Sequence, residues 1–79
     1  MRELVLVCTS VSQDRLVAYF AEEKTKREVF AYLPHVPGLN PWVLRVGDRI
    51  AGHVAKRNSR LELAQATRQA DRRGAGSAK

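Results

Sequence analysis

The sequence predicts an all-β fold, a small five-stranded barrel followed by a basic tail, and three observations carry that expectation. Short segments rich in Val, Leu, Ile, Phe and Tyr recur between turn residues, at lengths that suit strands and fall short of helices. The fifteen residues from Pro34 to Asp48 hold three prolines and two glycines, too many breakers for any regular element beyond one short helical turn. With 79 residues the chain makes one domain at most, burying only about 60% of the surface its unfolded form exposes, so its core must be simple.

The first strand is Arg2 to Thr9, where a continuous Leu-Val-Leu-Val run reads as buried. Ser10 to Asp14 supplies turn chemistry, and Arg15 to Phe20 forms the second strand. A charged connection, Ala21 to Arg27, leads to the third strand, Glu28 to Leu33, which Pro34 ends. The breaker-rich stretch then crosses to the fourth strand, Arg49 to Lys56, whose Gly52 marks a bulge or a barrel corner. Asn58-Ser59 turns the chain into the fifth strand, Arg60 to Ala66. On propensity alone Leu61 to Arg73 also suits a terminal helix, because Leu, Glu, Ala, Gln and Arg are good helix formers.

The domain therefore spans residues 1–67. Residues 68–79 (RQADRRGAGSAK) contain no large apolar side chain and are expected to form a disordered basic tail, since they bury too little to offset the entropy of ordering. Five strands with a long connection between the third and fourth point to an OB-fold, whose closed barrel leaves no sheet edge to pair with other chains.

Composition narrows the function. The single Cys8 cannot form an internal disulfide, and with His35 and His53 it falls short of a structural zinc set, so no cofactor or metal is expected. Cys8 reads as a small buried hydrophobe. No apolar run approaches the roughly 20 residues of a membrane span, and Glu3 sits where a secretory leader would be purely basic, so the reading is a cytoplasmic protein without membrane partners. Fourteen Lys and Arg against eight Asp and Glu give a formal charge of +6, which favours anionic partners. No phosphate loop, Ser-His-acid set or apolar acid pair is present, and the chain reads as a binding protein and not an enzyme.

Alternation across the strands supplies a candidate binding face. Leu16, Ala18 and Phe20 share one face with Val29, Ala31 and Leu33 as the barrel interior, which leaves Val17, Tyr19, Phe30 and Tyr32 pointing outward. Outward rings flanked by Arg15, Lys26 and Arg27 suit a single-strand binder: rings stack on bases while cations hold phosphates. Aromatics are equally at home in strands as core or interface residues. His35 lies close to this platform as a binding contact, and His53 reads as a solvent-facing strand residue. Lys56, Arg57 and Arg60 extend a basic path around a turn. Trp42 is either a displaced stacking ring or, the structural reading favoured by its size, a lid closing one barrel end.

These residues resemble the cold-shock domain family. Glu28-Val29-Phe30-Ala31-Tyr32 is similar to the family's second motif, D-V-F-V-H, with Phe30 and Tyr32 at its stacking positions. Arg15 to Phe20 is similar to the first motif, K-G-F-G-F-I, with Arg15 at the basic position, Val17 at the first aromatic and Tyr19 at the second; Leu16 and Ala18 stand where that motif has glycines. Leu44 to Ile50 fits the L-x-x-G-x-x-V approach to the fourth strand, and Val46 to Val54 also looks like ribosomal-protein OB domains. The resemblance implies single-stranded RNA or DNA as ligand and an RNA-chaperone-like or transcription- or translation-linked role. The altered first motif keeps open a protein-interaction module docking on a larger partner such as polymerase or ribosome. A monomer is expected, the alternative being a dimer joined through the aromatics.

Overall fold

The computed structural model describes residues 2–69. The chain runs β1 (Arg2–Val11), β2 (Val17–Glu22), β3 (Glu28–Tyr32), one 3-10 turn (Leu33–His35), β4 (Arg49–Arg57) and β5 (Arg60–Gln69). The strands close a barrel in the order β1-β2-β3-β5-β4. All pairings are antiparallel except β3 with β5, the arrangement of an OB-fold. β1 serves two neighbours, pairing with β4 along Arg2–Val7 and with β2 along Leu6–Val11. Thr9 is the extra residue between the Cys8–Phe20 and Ser10–Tyr19 pairs, a bulge of the kind that bends and twists a strand.

Period-two burial follows from the pattern of side chains. Leu6, Cys8, Ala18, Phe20, Val29, Ala31, Ile50, Val54 and Leu63 point inward and are buried. Leu16, expected inside, is exposed because β2 starts at Val17 and leaves Leu16 in the turn. The β4–β5 ladder slips at Thr67, between Ala51 and Gly52, and again at Ala64, between His53 and Val54; an added Cβ on Gly52 would meet the Gln65 carbonyl oxygen at 2.5 Å. The strand glycine is thus a contact requirement of the barrel wall. The turn joining β4 to β5 holds Asn58 at φ 50° and Ser59 at φ 65°, the left-handed pair of a two-residue hairpin.

Three expectations are corrected here. The alternative helix over Leu61 to Arg73 does not form among the described residues, and the expected fifth strand does: β5 pairs with β4 from Arg60 to Gln69 and with β3 at Leu61 and Glu62, and those tertiary pairings outweigh weak local propensity. Arg68 and Gln69, assigned to the tail, are the last residues of that strand; the remainder of the expected tail, residues 70–79, lies outside the described residues. Trp42 is no lid. It is 76% exposed, and the barrel end is filled by Leu33, Val36, Leu39 and Leu44 from the long connection. The Trp42 amide donates to Asn40 Oδ1, a local turn that carries the indole outward while the aliphatic side chains on either side turn in.

Candidate functional site

The outer surface of β2 and β3 carries the expected rings. Register sets Val17 opposite Tyr32 and Tyr19 opposite Phe30, so four side chains from two strands share one face. Tyr19 and Phe30 meet edge to face, centroids 5.6 Å apart and planes inclined by 63°, and Tyr32 meets His35 in the same manner at 4.9 Å. Tyr19 and Tyr32 are exposed and Phe30 is half-buried. Beyond Phe30 the row continues onto β5 at Glu62 and onto β4 at Ala55.

The cations divide between the two barrel ends. Because β3 and β5 run parallel, the loop before β3 and the turn before β5 lie at the same end. That end carries exposed Lys26 and Arg27 on one side and Lys56, Arg57 and Arg60 on the other. The Arg60 guanidinium sits 4.9 Å from the Phe30 ring centroid, a cation–π contact. Lys26 occupies a left-handed position at φ 64°, its amide donating to the Glu22 carbonyl. Arg57 and Glu62 are 3.8 Å apart, a loose pair with the guanidinium largely in solvent.

Arg15 has a structural task that its motif position did not suggest. It sits in the turn between β1 and β2 at φ 63°. Its Nη1 donates to the carbonyl oxygens of Pro41, at 3.0 Å, and Leu44. The side chain therefore ties the turn to the long connection and holds Trp42 at that end of the barrel. Asp14 in the same turn accepts from the Ser12 hydroxyl and the Leu16 amide, and these bonds hold its carboxyl below the usual range.

Sequence reasoning did not single out the groove beside the rings. Phe30, Tyr32 and His35 form one wall, Ala55 and Ala64 provide small side chains, and Lys56, Arg57 and Glu62 stand at its margin. Its volume is about 590 Å³, in the range of small-ligand sites. The signal was available in the alternation of β5: Leu63 is buried and Leu61 packs against the core, which leaves Glu62 and Ala64 outward beside β3.

Nothing at the site assembles a metal centre: among the described residues no group of three or more His, Cys, Asp or Glu could hold a metal ion. Cys8 is buried, and burial pushes its thiol up to about 11, leaving it protonated and inert near neutrality. Among the described residues no helix is long and apolar enough to cross a membrane. No family model, curated protein or solved structure matches the chain.

Proposed function

We propose that the chain binds single-stranded RNA or DNA across the outer face of β2 and β3, without catalysis. The observation that carries this reading is the cross-strand set Val17, Tyr19, Phe30 and Tyr32, with Arg60 stacked on Phe30 and a formal chain charge of +6. Bases stack on the rings, each worth about 1–3 kcal/mol by alanine substitution. Lys26, Arg27, Lys56, Arg57 and Arg60 hold phosphates at one barrel end, and His35 abuts Tyr32 at the edge of the platform. Arg15 contributes by fixing the loop through its bonds to Pro41 and Leu44. The test is titration of fluorescent oligonucleotides with Phe30→Ala and Tyr32→Ala, each checked for retained fold by circular dichroism. Loss of binding in folded variants supports the reading; unchanged binding overturns it.

A second reading rests on a separate observation. Trp42 and Val46 are the most exposed large apolar side chains among the described residues, at 76% and 61%, and both belong to the Arg15-tethered connection. A larger protein partner would dock there, and Trp42→Ala would then abolish association with that partner while oligonucleotide binding persisted.

A further inference from the structure

We infer that the groove between β3 and the β4–β5 hairpin is a base-selective pocket in which Glu62 reads the donor edge of guanine. The inference rests on the proposed function and adds to it a specificity-determining residue. Register places Glu62 directly beside Phe30 on the outer face of the barrel, with Ala55 on its other side. The groove combines aromatic walls, Phe30, Tyr32 and His35, with the small side chains of Ala55 and Ala64. A flat ring lies against such an aromatic wall, and at about 590 Å³ the groove has room for a base with its sugar.

A carboxylate is the wrong group for a surface that merely attracts phosphate, because it repels the backbone that the neighbouring cations hold. Its own partner does not explain it: Arg57 is 3.8 Å away and its side chain is 74% exposed, a pair contributing little in water. What an ionised carboxylate does offer is two acceptor oxygens and no donor. Guanine presents two adjacent donors, N1–H and the N2 amino group, which match both oxygens at once. Adenine and cytosine offer a single exocyclic amino group, and uracil and thymine flank one N–H with two carbonyl oxygens that a carboxylate repels. Charge-assisted paired bonds of this kind are the strong ones. A base seated against the rings therefore meets an edge filter, and Arg57 is released to the phosphate of the same nucleotide.

The test uses the full chain and three oligouridylates of about six nucleotides, differing at one central position: guanosine, inosine, which lacks the N2 amino group, or uridine. Wild type is expected to bind the guanosine strand about tenfold more tightly than the other two. In Glu62→Gln one acceptor oxygen becomes a donor, so the guanosine preference disappears, while affinity for the all-uridine strand holds or rises with the loss of negative charge. Equal binding of the three strands by wild type overturns the inference, as does a preference that survives in Glu62→Gln or a change equal for all three strands. Failure of wild type to bind any of the three overturns the proposed function itself, a result distinct from equal binding.

Discussion

Phe30 and Tyr19 face each other across the β2–β3 ladder, edge to face at 5.6 Å, on the outside of the barrel. Their partners behind the sheet, Val29 and Phe20, are fully buried, so the same two strands build the core with one face and a ring surface with the other. Removing Phe30 should therefore cost stability modestly, about 1–2 kcal/mol from the lost aromatic pair and partial burial. Phe20→Ala, which empties the core, should cost about 3–5 kcal/mol. Denaturant titration of the two variants measures the difference.

The tether from Arg15 to Pro41 and Leu44 joins segments 26 and 29 residues apart. Arg15→Met removes the donor and leaves two carbonyl oxygens to water. The expected loss is about 1–2 kcal/mol, accompanied by faster proteolytic cleavage within residues 38–46 and no change in cleavage of the β4–β5 turn. Equal protection of the long connection in variant and wild type would show that the tether is dispensable.

Ser59 holds a left-handed backbone at φ 65°, a conformation that glycine adopts without strain. Ser59→Gly completes the Asn-Gly pair preferred in two-residue hairpins and should stabilise the chain by about 0.5–1 kcal/mol. For a domain of this size that is a rise in Tm of roughly 2–8 °C. A fall in Tm would contradict the turn geometry.

Cys8 should resist alkylation in the native state. The thiolate is the reactive form, and with the thiol raised to about 11 by burial native labelling stays slow at neutral pH and rises only well above pH 9. Denaturant should accelerate it sharply at any pH in that range. The sign extends to stability: the folded chain retains this proton between 9 and about 11 where the unfolded chain gives it up, so the Cys8 contribution weakens as pH rises through that window.

Most of the barrel was legible in the chain because its signals are local. The alternation in VAYFAE and EVFAY, the Asn58-Ser59 turn and the prolines after Leu33 each act over a few residues. What was not legible depends on distant partners. The alternating leucines marked Arg60 to Ala66 as a strand, but the helix-forming composition from Leu61 onward left a helix as the alternative and hid the strand's extension to Gln69, which depends on pairing with β4 and β3. Trp42 resembled a plug because size suggests burial, yet the bond from its amide to Asn40 turns it out and Leu39 and Leu44 take the interior. Arg15 looked like a phosphate contact from its motif position, and nothing near it in sequence announced carbonyls beyond residue 40. Glu62 was passed over as one charge in an alternating strand, although its neighbour across the parallel pairing is Phe30.

The most direct test of the central claim is the affinity of the full chain for a single-stranded oligonucleotide at two salt concentrations, measured beside Phe30→Ala. Engagement of about four phosphates by the cations around the platform predicts roughly a 50-fold weakening between about 50 and 200 mM salt. Phe30→Ala should weaken binding at both concentrations by about 1–3 kcal/mol while leaving the salt slope unchanged. Salt-dependent binding that is indifferent to Phe30 in a folded variant would contradict the account, because charge alone would then explain the affinity and the aromatic face would have no part in it.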